Sequence, residues 1–235
     1  MTIALFTSVW AAKSEPGKLR QDFLDQPLAF LQSVPAVASV DLYVPAAGDV
    51  QQFDDGAPPS LIIQIDVNNA ADAQSLTRAE KFQRLLAAKS AYAAAAEKVS
   101  LDILQTVHFL LPGHQTPPLR TAPLSFVVRY YGPNDDEAAF VRFYTEHHPL
   151  LLATFPGIRN VLCYLPLDWQ STGKVTDSRV ILGNEVVFDD LAALKRALAS
   201  DVLPRLQAEG RTFAKFGRST HHAMRRERVF TRGER

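Results

Sequence analysis

Two adjacent histidines, His147 and His148, have the residue type and the surroundings that best suit chemistry near neutral pH. A neutral imidazole can accept or release a proton near pH 7, and it can also ligate a metal or a haem iron. Phe140 and Tyr144 precede them at helical spacing, and an inward histidine among such rings would be desolvated, which lowers its pKa. We predict that His147, His148 and Tyr144 form a catalytic group, and the alternative for the histidines is a capping role or a hydrogen bond to the sheet without chemistry.

Polar and aromatic residues on the neighbouring predicted strands could hold a substrate. A guanidinium can bind a carboxylate through two hydrogen bonds, and a phenol can hydrogen-bond an enol or a carbonyl oxygen. Simple packing is the alternative for each tyrosine. The predicted substrate-binding residues are Arg129, Tyr130, Tyr131, Phe140, Tyr164 and His222.

A divalent-metal site is a further alternative. His221 and His222 lie on the last predicted strand, where consecutive side chains point to opposite faces, so at most one of them can join the helix histidine. Glu146 or Glu185 would then supply a carboxylate. Metal binding needs three or four converging ligands, which sequence spacing alone does not show. We therefore expect no cofactor and keep haem or a divalent metal as open alternatives.

Composition and missing motifs exclude several classes of protein. The 235 residues include 25 Lys+Arg and 25 Asp+Glu, and zero formal net charge argues against general attraction to nucleic acid or to an anionic membrane. The single cysteine, Cys163, excludes an intrachain disulfide framework and a cysteine-based zinc cluster. No Gly-rich phosphate loop, Ser-His-Asp order or signal peptide is recognisable. We expect a soluble cytoplasmic protein without ATP- or NAD-dependent chemistry.

The chain repeats itself at an offset of 121 residues. The segments 35–45 and 156–166 share two prolines, a valine and a tyrosine at this offset, which matches Tyr43 with Tyr164. Each copy carries the same order of predicted elements, βαββαβ, and a segment rich in proline and glycine separates the copies. The predicted division is a first unit over 1–112, a linker over 113–122 and a second unit over 123–235.

A βαββαβ unit of this kind folds as an antiparallel ferredoxin-like sheet with helices on one face. Strand segments such as 61–65 are apolar on both alternating faces, so the open face of each sheet also needs cover. We therefore predict an α+β fold in which two tandem ferredoxin-like units pack their sheets face to face. The result would be an intrachain pseudo-dimeric α/β barrel with its helices outside.

Apolar periodicity places the principal helices of these units. It predicts one helix over 18–34, one over 72–98 and one over 191–213, in which Pro204 would introduce a kink or end the first part. The final strand is predicted over 220–230.

The segment 140–158 resembles the signature helix of EthD-like proteins, within the dimeric α/β-barrel superfamily. The shared features are an aromatic pair, a histidine near Pro-Leu, and then Pro-Gly and an aliphatic residue before a strand that contains Tyr164. In this signature, the spacing to the proline points to His147, whereas the spacing from the aromatic pair and from Pro-Gly fits His148 better. We favour His147 as the histidine that faces the pocket.

The resemblance implies a small-molecule pocket between sheet and helices. It also implies oxidative degradation, or cofactor-independent isomerase, lyase or oxygenase chemistry, on an aromatic, lactone or polyketide-like compound. The first copy has Gln26 and Pro27 where the histidines would be, so it looks like a structural half that closes the barrel. The alternatives are a non-catalytic carrier or stress-related binding protein, and a haem-handling barrel. We expect a small-molecule partner and neither nucleic acid nor membrane, and pairing of two chains through their helix faces stays open.

Overall fold

The computed structural model describes residues 2–11, 16–48, 53, 55–86, 96–167, 179–213 and 215–233. In chain order the elements are β1 (Thr2–Trp10), α1 (Pro16–Asp25), α2 (Pro27–Ser33), β2 (Val37–Pro45), β3 (Leu61–Val67), α3 (Ala70–Arg78), α4 (Glu80–Leu86), β4 (Lys98–Phe109), β5 (Leu124–Asn134), α5 (Glu137–Leu152), β6 (Asn160–Pro166), β7 (Val180–Phe188), α6 (Leu191–Leu198), α7 (Val202–Gly210) and β8 (Phe216–Thr231). None of the helices in these ranges combines the length and the hydropathy that crossing a membrane requires.

The eight strands close into one antiparallel barrel in the order β1-β3-β2-β8-β5-β7-β6-β4. Strands β1 to β4 form the first half and β5 to β8 the second half. The pairs β2–β8 and β4–β6 join the two halves at both edges, so each of these strands has a partner on both sides. This arrangement confirms the predicted α+β fold, in which two ferredoxin-like sheets face each other as a pseudo-dimeric barrel within one chain.

Consecutive side chains of each strand point alternately into the barrel and towards the helices. The outward side chains of the two halves pack beneath their own helices as two separate apolar cores. A third apolar cluster, which includes Phe6, Val127 and Leu162, fills the middle of the barrel. Many strand segments are therefore apolar on both faces because helices cover one face and the opposite sheet covers the other.

The offset of 121 residues does not extend to the last strand of each half. In the first half, Phe6 pairs with Asp102. In the second half, Val127 pairs with His222. Val127 lies 121 residues after Phe6, but His222 lies only 120 residues after Asp102. The single ungapped shift expected from the sequence is therefore wrong for β8. Successive side chains of a strand point to opposite faces of the sheet. An offset of 120 instead of 121 residues therefore places each β8 side chain on the face opposite to the one that the repeat predicts.

Two of the predicted helices are divided by breaks. The helix expected over 18–34 is split into α1 and α2 before Pro27, whose ring nitrogen has no hydrogen to continue the hydrogen bonding of α1. The helix expected over 191–213 is split at residues 199–201. Pro204 lies in the first turn of α7, where a backbone N–H would have no helical partner and its loss breaks no bond.

The remaining boundaries differ more modestly from the prediction. The helix expected over 72–98 begins as α3 and α4, which are separated at Ala79, and residues 87–95 lie outside the described part of the chain. The final strand, expected over 220–230, is longer and occupies Phe216–Thr231.

Arg120, which belongs to the predicted linker, lies inside one end of the barrel. Its guanidinium donates to the hydroxyls of Tyr43 and Tyr164, at 2.9 and 3.0 Å, and pairs with Glu185 at 2.9 Å and with Asp41 at 2.5 Å. Burial alone would raise the pKa of Glu185, but Arg120 and two hydroxyl donors hold that pKa below its ordinary value. This segment therefore does more than connect the halves, because it ties strands of both halves together from within.

Candidate functional site

A cavity of about 260 Å³ lies between the outer face of the second-half sheet and helices α5 and α7. Most of its wall consists of aromatic rings and aliphatic side chains. These include Phe126, Val128, Leu152, Leu206, Phe213 and Phe216. Among the polar side chains that line it are His148, Asn184 and His221. The cavity lies where the resemblance implies a pocket, between sheet and helices, and we refer to it as the helix-side cavity.

His148 lines the helix-side cavity from α5. Its side chain is 8% exposed, and its Nδ1 lies 2.5 Å from Oε2 of Glu209 on α7. The rings of Tyr144 and Phe213, with centroids 4.5 and 5.4 Å away, pack against the imidazole and fix its plane. A carboxylate that accepts the hydrogen on Nδ1 selects the tautomer in which Nε2 carries the lone pair. The pair therefore prepares His148 to accept a proton at Nε2.

His147 points away from the helix-side cavity. Its side chain is exposed, its Nδ1 lies 2.9 Å from the carbonyl oxygen of Phe143, and its ring stacks on that of Phe143. Residues four apart share a helix face, so His148 lies on the same face as Tyr144 and Phe140, whereas His147 does not. The preference for His147 as the pocket-facing histidine is therefore wrong.

His221 lines the same cavity from the sheet side, on β8. Its Nδ1 and its backbone nitrogen both lie 2.8 Å from Oδ2 of Asp55, and its ring stacks on Phe53 with centroids 4.1 Å apart. Burial lowers the pKa of His221 although Asp55 opposes this shift, so the imidazole is neutral at pH 7. Phe53 and Asp55 belong to the connection between β2 and β3. The first half is therefore not only a structural half, because it supplies part of this cavity.

A chain of hydrogen bonds runs from β7 to the cavity wall. The amide Nδ2 of Asn184 donates to the hydroxyl of Tyr144, which is in turn hydrogen-bonded to Tyr130. Burial raises the pKa of both phenols well above the ordinary value, so both remain protonated. The other end of the amide, Oδ1 of Asn184, is buried and has no hydrogen-bond partner among the described residues. Because Asn184 and Tyr130 line the cavity, both can hydrogen-bond a ligand there.

Four of the predicted substrate-binding residues face the barrel interior instead: Arg129, Tyr131, Tyr164 and His222. Alternate residues of a strand face opposite sides of a sheet, so Tyr130 reaches the helix-side cavity while its two neighbours on β5 do not. For the same reason His221, and not His222, joins the helix histidine. The six predicted residues therefore do not form one site.

Phe140, the sixth of these residues, packs behind the cavity wall. Its ring contacts Tyr130 and Phe213 edge to face, with centroids 5.5 and 5.7 Å away. The carboxylates considered for a metal lie elsewhere, because Glu146 is exposed and Glu185 is inside the barrel. Across the ranges that the structure describes, no group of three or more His, Cys, Asp or Glu residues is arranged to hold a metal ion.

Sequence reasoning missed several residues of this site, including Phe53, Asp55, Asn184 and Glu209. Asn184 offered a usable signal, because a lone amide within the apolar segment 180–188 must find a buried partner. Glu209 lies 61 residues from His148, and Asp55 lies 166 residues from His221. No spacing rule connects residues so far apart, and they meet only once α7 and the β2–β3 connection pack against the sheet.

Comparison with solved structures identifies the architecture. An anthrone oxidase-like protein superposes with a TM-score of 0.66 over 99% of this chain and 94% of its own, at 13% identity. The chain has the dimeric α/β-barrel fold. A candidate monooxygenase from Lactobacillus acidophilus matches this barrel with a TM-score of 0.52 at 11% identity, over 99% and 97% of the two chains. Another from Fusobacterium nucleatum matches with a TM-score of 0.56 at 9% identity, over 99% and 94%.

These comparisons confirm the dimeric α/β barrel expected from the EthD-like signature, and identities this low show the fold alone. No protein-family model matches the sequence, and no curated protein matches it. The activity must therefore be argued from the residues of the cavity itself.

Proposed function

We propose that this dimeric α/β barrel is a small-molecule enzyme that removes a proton from an aromatic ketone or phenol and supports its oxidation by dioxygen. The observation that carries the proposal is the His148–Glu209 pair, which prepares an imidazole nitrogen to accept a proton beside an apolar cavity. The names of the matching structures, an anthrone oxidase-like protein and two candidate monooxygenases, suggest the class of substrate.

The proposed first step is a proton transfer within the helix-side cavity. A proton passes to Nε2 of His148 from a C–H group conjugated with the substrate carbonyl, which in anthrone is the ring methylene opposite that carbonyl, and the carboxylate of Glu209 stabilises the resulting imidazolium. The electron pair left behind moves onto the carbonyl oxygen, which becomes an enolate. Tyr130 donates a hydrogen bond to this oxygen, and in a substrate that carries a hydroxyl group Oδ1 of Asn184 accepts a hydrogen bond from it.

Oxidation of the enolate then uses dioxygen as the electron acceptor. For anthrone, one molecule of substrate and one of dioxygen give one anthraquinone and one water, so the ring carbon loses two hydrogens and gains one oxygen. The apolar rings around the cavity keep bulk water from the enolate before dioxygen arrives. A cavity of about 260 Å³ lies just below the range of about 300–1,000 Å³ typical of drug-sized ligands. This volume favours a compact ring compound over a porphyrin.

Replacement of His148 tests this proposal against a matched control on the same helix. With anthrone as substrate and oxygen uptake as the measurement, we expect His148→Gln to lower kcat/KM by about 100-fold or more, because a positioned general base contributes at least that much. His147→Gln makes the same chemical change at an exposed neighbouring position and should leave turnover at the wild-type level. Equal turnover by the two variants would refute the role of His148.

The same experiment distinguishes the proposed enzyme from a non-catalytic carrier. An apolar carrier would bind anthrone, measured by its fluorescence, and show no oxygen uptake with the wild-type protein. An enzyme of the proposed kind would show uptake that His148→Gln removes while binding persists. Addition of haem tests the third alternative, because a haem-handling barrel would produce a Soret band that depends on His148 or His221.

A further inference from the structure

We propose that the barrel interior contains a second site, separate from the helix-side cavity, which binds a small carboxylate through Arg129, Ser100 and His222. A cavity of about 110 Å³ lies there, lined by strands of both halves, and it shares no lining residue with the space around Arg120. We refer to it as the interior cavity. This proposal does not depend on the proposed function, because the two cavities share no lining residue. Asp55, which hydrogen-bonds His221 of the helix-side cavity, also lines the interior cavity.

Among the residues that the structure describes, Arg129 is a buried cation without a carboxylate partner. The side chain projects from β5 into the barrel, and its guanidinium lies over the rings of Phe6 and Tyr164, 4.7 and 5.1 Å from their centroids. Its Nη1 donates to the backbone carbonyls of Val128 and Asn184. No ion pair joins Arg129 to an acidic residue of the described chain, whereas Arg120 has two such pairs. A desolvated guanidinium favours an anionic partner, and Nε and Nη2 are not used by these hydrogen bonds.

The backbone of β7 is shaped to admit this guanidinium. A Cβ atom at Gly183 would lie 2.8 Å from Nη1 of Arg129 and 3.2 Å from its Cδ and Cζ. Glycine within a strand weakens the strand and often marks a close approach by another group. Gly183 therefore allows the guanidinium of Arg129 to lie close against this strand.

Further donors complete the interior cavity. The hydroxyl of Ser100 lines it, is buried, and has no hydrogen-bond partner among the described residues. His222 also lines it, and burial lowers the pKa of this imidazole, so at neutral pH it offers one N–H without adding charge. At the mouth, the exposed side chains of Lys98 and Arg218 lie over the rings of Trp10 and Tyr131. These cations create a positive entrance that attracts anions.

The arrangement selects the class of ligand. A planar carboxylate matches the two parallel N–H groups at the edge of a guanidinium, which gives two-point recognition. The volume of about 110 Å³ admits a two- or three-carbon acid and excludes an aromatic acid. Asp55 and Asp102 also line the cavity, and Asp55 already accepts hydrogen bonds from His221. We therefore expect small acids such as glycolate to bind through Arg129, and benzoate not to enter.

Titration of the full chain with glycolate, followed by isothermal calorimetry at constant ionic strength, tests the interior site. We expect Arg129→Gln to weaken glycolate binding by about tenfold or more, because hydrogen bonds to charged groups are lost. Arg205→Gln removes the same charge from an exposed position on α7 and should bind glycolate as the wild type does. Equal affinity of the wild type and Arg129→Gln would overturn the proposal, as would binding of benzoate that Arg129→Gln abolishes.

A second variant keeps the test decisive if Arg129→Gln does not fold. Gly183→Ala retains the charge but places a methyl group where the guanidinium lies, so it should also weaken glycolate binding. Unchanged binding by Gly183→Ala would contradict the proposed geometry. Neither result involves anthrone turnover, so failure of this site and failure of the proposed enzyme activity are distinguishable.

Discussion

His148 and His221 approach the helix-side cavity from opposite walls, and in each case a carboxylate lies at hydrogen-bond distance from Nδ1. This common arrangement leaves Nε2 as the nitrogen with a lone pair in both residues. Tyr130 lines the same cavity from β5, and its hydroxyl is hydrogen-bonded to Tyr144. A ligand with one oxygen acceptor and one removable proton satisfies these groups best, which agrees with the proposed ketone or phenol.

The buried histidines predict how stability depends on pH. Burial lowers the pKa of His221 and of His222 below 6.5, so the unfolded chain binds these protons more readily than the folded protein does. Their contribution to stability is complete above pH 6.5 and is lost as the pH falls through the lower, folded pKa values. We expect the free energy of unfolding, measured with urea in carboxylate-free buffer, to fall between pH 7 and pH 5.

His222→Gln should make this decline smaller, because it removes one of the groups that must take up a proton. His147 is exposed, so His147→Gln provides a control that should keep the full decline. A decline of the same size in His222→Gln and in the wild type would contradict the assignment of the effect to this residue.

At the scale of elements, the site depends on two segments that return to the second-half sheet from elsewhere. Helix α7 brings Glu209 to His148, and the β2–β3 connection brings Phe53 and Asp55 to His221. The sequence predicted α5 and its signature, since periodicity and capping are local properties. It did not predict which side chains of distant segments meet α5, because such contacts follow from tertiary packing.

Phe53→Ala tests the contribution of the β2–β3 connection. Phe53 stacks on His221 and contacts Phe126, so its truncation should weaken anthrone binding several-fold by removing part of the cavity wall. Phe30→Ala makes the same change against the first-half core and should leave anthrone affinity unchanged. Fluorescence titration of both variants provides the measurement, and equal affinities would show that the first half does not contribute to the cavity.

At the scale of the whole molecule, the halves are related by an approximate twofold arrangement around Arg120. Its Nη1 donates to Tyr43 from the first half and to Tyr164 from the second. Each tyrosine donates to a residue 21 positions later, Gln64 in the first half and Glu185 in the second. The barrel is therefore closed by a central guanidinium as well as by strand pairing.

Loss of Arg120 should be strongly destabilising. Arg120→Met leaves the negative charges of Glu185 and Asp41 buried with less positive charge beside them. Removal of one partner from a buried ion pair lowers the free energy of unfolding by about 3–5 kcal/mol. Arg159→Met is the matched control, because Arg159 pairs with Asp189 at an exposed position and should leave the free energy of unfolding near that of the wild type. Equal effects of the two substitutions in urea denaturation would contradict the central role of Arg120.

The barrel could be predicted from the sequence because the internal repeat and the strands that are apolar on both faces can be recognised in the sequence itself. The polar groups inside the barrel could not be predicted, although Gln64 and Glu185 interrupt apolar strands at equivalent positions of the two halves. The division into 1–112, 113–122 and 123–235 stays a prediction. Arg120 shows why a segment rich in proline can look like a linker, since its role depends on partners far away in the chain.

The central claim is that a small aromatic molecule binds beside α5, within reach of His148. Histidine side-chain NMR during titration with anthrone under anaerobic conditions tests this claim most directly, because each of the six histidines can be assigned with its own His→Gln variant. We predict that the imidazole signals of His148 and His221 shift with anthrone concentration, while those of His147 and His222 do not. Shifts confined to His147 or His222, with His148 unchanged at saturation, would contradict the account.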